Sequence, residues 1–332
     1  MQSALSPLLT APTTVGLAVG AAGAVALLLL VRRRRLGKKS TATKAKAAAG
    51  HDGNIERDGF FYKLEVKNRF ENERILLEKL STTTDSMARC VPEFCGVEEI
   101  DGKRYLKMRS LTEKFDAATM CIMDAKMGVR CFAEKELGEK KPRPDLFEKL
   151  LKLGLPALTR SVLSPAEIEA KEITKARWMT LRDATSSTKE LGFRVDGVVT
   201  PDRKRKPAGD LATCRADSQV IEALRSFLPA GKNQKATAAS VLARLDEIEE
   251  NLRSSEIFFN SEVIGSSLFF VADAKGNTGV WMLDFGLTCP AEVPSGRLRH
   301  EVPWKVGNHE DGYLIGLANM RRLWRRMMME LE

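Results

Sequence analysis

The sequence predicts an α+β protein of two lobes behind an N-terminal transmembrane helix, and three observations lead there. An apolar run rich in β-branched and aromatic residues, Val263 to Val271, is followed by the turn-forming stretch Ala272 to Gly279 and by a second run, Val280 to Gly286. Two such runs around a Gly/Asn/Asp cluster read as a β-hairpin. Residues 134–191 are helical in pattern, highly charged, and broken by Pro142, Pro144, Pro156 and Pro165. Residues 1–31 hold no charged side chain, and Val15 to Val31 is unbroken Gly, Ala, Val and Leu closed by Arg32 to Arg35.

That N-terminal run would span roughly 25 Å as a helix, a little short of a ~30 Å hydrocarbon core. The uncharged Ala11 to Thr14 and snorkelling arginines make up the difference. A cleaved signal peptide would place basic residues before the run and small ones after it. Here the order is reversed, so residues 1–35 read as a membrane anchor. A cleaved targeting segment and an incidental extension stay open. The basic flank would leave the rest of the chain in the cytosol. Endoplasmic reticulum and mitochondrial outer membrane are not distinguished, and a cytoplasmic protein is the alternative.

The 332 residues, 43% of them hydrophobic, suffice for one large or two modest domains. The net charge of +9 is local: residues 1–50 carry eight Lys/Arg and no acid, which leaves 45 basic against 44 acidic residues. No nucleic-acid-binding surface is implied. Six cysteines without a CxxC pair, and only three histidines, argue against structural zinc and suit a reducing compartment.

Residues 36–58 are small, polar and aperiodic and read as a linker. Phe60 to Leu64 reads as a strand, Glu71 to Leu80 as a helix, Tyr105 to Met108 as a strand and Ser110 to Ala118 as a connector, giving a first lobe over 59–118. The second lobe then runs over 119–332. In it, Val198 to Gly209 is a basic loop. Val241, Leu242, Leu245, Ile248 and Leu252 line one face of a helix capped by Ser240. The basic stretch Met320 to Met329 has the composition of a calmodulin target. Its spacing equally makes it a last helix packing Leu323, Trp324 and Met327, and calmodulin is not inferred as a partner.

Three constellations carry chemistry. Asp284 ends the second hairpin strand beside Phe285 and Gly286, and a carboxylate there is costly unless it meets a metal or a cation. An Asp-Phe-Gly at a strand end is how kinases hold magnesium against phosphates. In Cys121 to Gly128, alternation puts Asp124 and Lys126 on one face, able to accept a hydroxyl proton and to neutralise a phosphate. A surface ion pair on an ordinary strand is the other reading. Lys175, Trp178 and Arg182, spaced i, i+3, i+7, share one side of a helix over Thr174 to Asp183. They form either an anion clamp with a bidentate Arg or a solvated basic face with a half-buried Trp.

Together these residues resemble the inositol polyphosphate kinase family, whose signature Pro-x-x-x-Asp-x-Lys-x-Gly stands here as Met120 to Gly128. Met127 to Arg130, Thr185 to Thr188, Leu191 to Arg194, Val263 to Leu268, Asp284 to Gly286, Pro303-Trp304 and Gly307 to Leu314 follow in the order of inositol-trisphosphate 3-kinases. The resemblance covers roughly residues 60 to 325. It implies a two-lobed fold, related to ATP-grasp enzymes and protein kinases, with a helical substrate-binding insertion at about 134–191. It implies ATP and Mg2+ as cofactors, and ATP-dependent phosphorylation of inositol 1,4,5-trisphosphate at the 3-hydroxyl. A broader multikinase and a silent inositol-phosphate-binding module are the alternatives. By the resemblance, Asp124 would orient or deprotonate the attacking hydroxyl, and Lys126 would hold phosphate charge. Asp284 would bind magnesium, with Ser267 nearby. Lys63, with Lys67 as rival, would pair the ATP phosphates, and Lys107 to Leu111, Met108 included, would form the hinge at adenine. Lys175, Trp178 and Arg182 would take the substrate. Two departures stand out: Met120 replaces the signature proline, and Val199 replaces a lysine expected after the Gly-Phe-Arg block. Arg203 or Lys204 could stand in for that lysine.

Overall fold

The computed structural model describes residues 53–66, 69–152, 163–201, 211 and 213–331. The first sheet has the order β1-β2-β4-β3, all antiparallel: β1 (Ile55–Arg57), β2 (Phe60–Leu64), β3 (Phe94–Ile100) and β4 (Lys103–Arg109). β1 falls within the stretch that reads as linker, because its short polar strand carries no alternation of its own. Helix α1 (Phe70–Ser81) packs Phe70, Leu76, Leu77 and Leu80 inward.

The second sheet has the order β6-β5-β8-β9: β5 (Cys121–Met127), β6 (Phe193–Val199), β8 (Ser267–Ala272) and β9 (Thr278–Leu283). The expected hairpin is the β8–β9 pair, starting at Ser267 rather than Val263. A two-stranded ribbon joins β7 (Ser261–Glu262) to β10 (Cys289–Pro290). Between β5 and β6 lie the helices α2 (Pro144–Lys152), α3 (Pro165–Ala170), α4 (Lys175–Thr185) and α5 (Thr188–Leu191). After β6 come α6 (Asp217–Arg225), α7 (Gln234–Arg253) and α8 (Glu256–Phe259), and the chain closes with α9 (Tyr313–Met329). Helix α7 starts two turns before Ser240, so that serine is interior to the helix and caps nothing.

Every residue of β5 is buried, so each face of this strand has its own cover. Cys121, Met123, Ala125 and Met127 face the main core with α7 and α9, where Trp324 lies edge-on to Phe227 and stacked on Phe270. The opposite face divides lengthwise. Ile122 belongs to an apolar cluster with Met120, Val199, Phe269 and Val271, while Asp124 and Lys126 occupy the charged end. The helical insertion has a separate small core, Leu146, Phe147, Leu150, Ile173, Trp178 and Leu181.

Among the described residues no helix is long and apolar enough to cross a membrane. The longest helices, α7 and α9, are amphipathic: one face is in the core and the other carries ion-paired charges. This overturns the expectation of a membrane-anchored chain. The segment that suggested it, residues 1–35, lies outside the described residues, as do Lys67, Arg203 and Lys204.

Candidate active site

A cleft of about 230 Å³ lies between the two sheets and the helical insertion. Its roof is the inner face of the first sheet, where Phe61 and Lys63 alternate on β2 opposite Met108 and Leu106 of β4. Its floor is the divided face of the second sheet, where Phe269 and Leu283 are apolar and Lys126 and Asp284 are charged. Arg109 to Thr112 form the back of the cleft, and there Glu56 accepts hydrogen bonds from the Ser110 and Thr112 hydroxyls.

At the charged end Asp284 is gripped from both sides. Lys63 Nζ donates to its Oδ1 at 2.7 Å and Lys126 Nζ to its Oδ2 at 3.0 Å. Lys63 is itself held by both oxygens of Glu73, at 2.7 and 2.8 Å, and Lys126 also donates to the Gly265 carbonyl at 2.9 Å. Strand β9 ends at Leu283, and Asp284 takes a left-handed φ of 66°, which an Asp tolerates better than most residues. Burial opposes ionisation of Asp284, but the two ammonium groups outweigh it and hold the carboxyl well below the usual carboxylate range. Burial likewise works against the charge on Lys63, and Asp284 and Glu73 reverse it, so that lysine stays protonated.

Asp124 lies two residues before Lys126 on the same face of β5, 6% exposed. Burial pushes its pKa up to about 6, Lys126 pulls it down, and Asp196 and Asp284 push it up. It does not itself line the cleft; its neighbour Lys126 does. Ser267, the β8 partner of Lys126, is fully buried beside it rather than on the cleft wall.

Helix α4 forms the far wall. Thr174 caps it by accepting from the Arg177 amide at 3.1 Å, and its Lys175 and Arg182 line the cleft. Lys175 pairs with Glu136, and Arg182 donates to Asp196 at 2.7 Å. Trp178 is only 5% exposed, and most of its ring belongs to the insertion's core.

Glu136, Asp196, Arg194 and Lys149 are absent from the sequence-derived site. Asp196 shares one oxygen between Arg182 and Arg194. It can do so because β6 carries a bulge: Asp124 pairs with Gly197 and Ala125 with Val195, which leaves Asp196 unopposed. The Arg194-x-Asp196 alternation was the available signal, but the bulge that aims it comes from strand pairing. Val199 is 8% exposed in the apolar cluster with Met120, so the two departures from the family signature pack into one patch.

The inositol polyphosphate kinase family profile matches residues 105–325. The chain belongs to the inositol polyphosphate kinase family. It is 38% identical over 277 residues to inositol-trisphosphate 3-kinase A of Homo sapiens, covering 82% of this chain and 56% of that protein. It is 38% identical over 260 residues to inositol-trisphosphate 3-kinase B of Homo sapiens, covering 77% and 26% respectively. The chain thus spans about half the length of the first of these relatives and a quarter of the second. The structure of inositol phosphate multikinase Ipk2 from S. cerevisiae, in complex with ADP and Mn2+, superposes with a TM-score of 0.50 at 14% identity. That match covers 82% of this chain and 100% of the other, and it supports the inositol phosphate kinase fold.

Proposed function

We propose that the protein transfers the terminal phosphoryl group of ATP to the 3-hydroxyl of inositol 1,4,5-trisphosphate, giving inositol 1,3,4,5-tetrakisphosphate. The observation that carries this reading is one cleft with Lys63 and Asp284 at one end, a cation-bearing helix at the other, and Lys126 between them. The relatives named inositol-trisphosphate 3-kinase support the choice of substrate. The ADP and Mn2+ held by the yeast multikinase support a metal–nucleotide complex.

The donor set fits such a complex. Among the described residues no group of three or more His, Cys, Asp or Glu could cage a metal. One fully ionised carboxylate, Asp284, suits magnesium, which keeps phosphate oxygens and waters as its other ligands. Bound there, the ion would neutralise charge building on the nucleotide phosphates. Met108, Leu111, Phe269 and Leu283 offer apolar surface for the base beside the hinge, and Lys63 the charge for the α- and β-phosphates. Lys126 would leave Asp284 for a transferring or inositol phosphate. Lys175 and Arg182 would orient the ring, and the Trp178 edge would limit its position. Asp124, on the same strand face as Lys126 just behind the cleft wall and with its pKa raised to about 6, would take the hydroxyl proton once the bound substrate reaches it.

A broader multikinase specificity is favoured by one observation, the burial of Val199 in an apolar cluster where the family's lysine would reach substrate. Purified protein with radiolabelled ATP and a panel of inositol phosphates separates the readings. Turnover of the 1,4,5-trisphosphate alone, at the 3-position, supports the first. Comparable turnover of several substrates supports the second, and no turnover of any leaves a binding module.

A further inference from the structure

The cations of the cleft are nearly all matched by acids of the protein itself. Lys63 and Lys126 meet Asp284, Lys175 meets Glu136, and Arg182 and Arg194 meet Asp196. Lys149 differs. It lies on α2, whose Leu146, Phe147 and Leu150 are anchored in the insertion core, so its backbone is held against α4. It lines the cleft, and its Nζ sits 5.5 Å from the centroid of the Trp178 ring. No carboxylate among the described residues pairs with it.

Its surroundings make the missing partner costly. Burial lowers the Lys149 pKa and the Arg182 charge lowers it further, while Asp196 and Asp145 only partly offset them. Arg182, for its part, has spent one nitrogen on Asp196, and its Nε has no hydrogen-bond partner among the described residues. Two cations thus face one region of the cleft, Lys149 with no carboxylate partner among the described residues and Arg182 with one nitrogen unused, and the Lys149 ammonium lies beside the Trp178 ring.

We propose, resting on the inositol phosphate kinase reading above, that Lys149 is a substrate-binding residue that grips one phosphate of the inositol phosphate together with Arg182. A phosphate carries about two negative charges near neutral pH, enough to satisfy both cations at once. The two contacts come from different helices, α2 and α4, so substrate also ties the halves of the insertion together.

The test compares Lys149→Met, which keeps the stem on Trp178 and removes the charge, with Lys149→Arg. Initial rates are measured against inositol 1,4,5-trisphosphate and, separately, against ATP. The expected result for Lys149→Met is a KM for the trisphosphate raised roughly tenfold, the loss of one charge-assisted contact. The KM for ATP and the melting temperature should stay as in the unaltered protein, with Lys149→Arg recovering most of the affinity. An unchanged KM for the trisphosphate overturns the assignment. So does a rise in both KM values with a lower melting temperature, which marks a packing role. Unaltered protein that phosphorylates no inositol phosphate removes the underlying function reading, an outcome distinct from both.

Discussion

At the scale of single residues, the candidate site sets two carboxylates apart in their ionisation. Asp284 is half-buried and Asp124 buried; Lys63 and Lys126 keep the first ionised while burial carries the second to about 6. One is suited to a cation and the other to a proton. For Asp124 the sign is that of a base: protonated and inert below about 6, ionised and competent above it. We expect kcat to rise with pH through about 6 and then level off, and Asp124→Asn to lose at least roughly a hundredfold in kcat. A pH series of initial rates on both proteins checks this, and a flat profile in the unaltered protein would remove Asp124 as the base. The residue types at this scale were readable from the chain, because a carboxylate at the end of an apolar strand and a carboxylate–lysine alternation are both unusual. The pairing of Lys63 with Asp284 was not, since it joins positions 221 residues apart.

At the scale of elements, small backbone irregularities aim the side chains. The Asp196 bulge in β6 places one oxygen between two arginines, and the αL turn at Asp284 ends β9 facing two lysines. Gly128 closes β5 with φ of 95°, and a Cβ there would come within 2.9 Å of the Asp311 carbonyl. Its amide donates to the Gly192 carbonyl at 2.7 Å, so the backbone has little room to move away. Gly128→Ala should therefore destabilise the protein by about 2–4 kcal/mol through strain and overpacking. Denaturant titration measures that, and a loss below about 0.5 kcal/mol would show that the turn relaxes freely. The periodicity of β5, α1 and α9 is plain in the sequence because each has one apolar face. The strands Ile55–Arg57 and Phe94–Ile100 are not, since both are half-exposed and find their partners only in the sheet. The start of α7 is hidden for a related reason: residues 234–239 are polar and small, and their helix is a continuation of the apolar stripe that follows.

At the scale of the whole molecule, three separate cores hold the walls of one cleft, and a strap follows β10. His300 is fully buried there, Nδ1 2.8 Å from Asp311 and Nε2 3.0 Å from the Phe258 carbonyl, with its ring stacked on Phe258. Burial lowers the His300 pKa but Asp311 outweighs it, so the net direction is upward. Burial pushes Asp311 up and His300 outweighs that, so its net direction is downward. The histidine's contribution is whole below its unfolded value near ~6.5 and fades as pH rises through the folded one; the aspartate's is whole above ~3.9 and fades on acidification. The pair is thus at full strength between roughly pH 4 and 6.5. We expect the melting temperature to fall above about pH 6.5 more steeply in the unaltered protein than in His300→Gln. Parallel melting curves would show that His300 stays neutral.

The chain by itself determined the α+β class through local periodicity and singled out Asp124, Lys126, Asp284, Lys175 and Arg182 as unusual charges in their runs; the family followed from the order of its motifs, and the roles of those residues stay a proposal. It also suggested a membrane anchor, which the described helices, with one buried face and one charged face, do not support. Tertiary structure alone decided which acid meets which base. Glu136 for Lys175, Asp196 for Arg182, and Lys149 left without a carboxylate among the described residues all depend on helices and strands meeting across the cleft. Electrostatic energy in a buried site depends on separations of a few ångströms between residues far apart in sequence, and no local pattern encodes those separations.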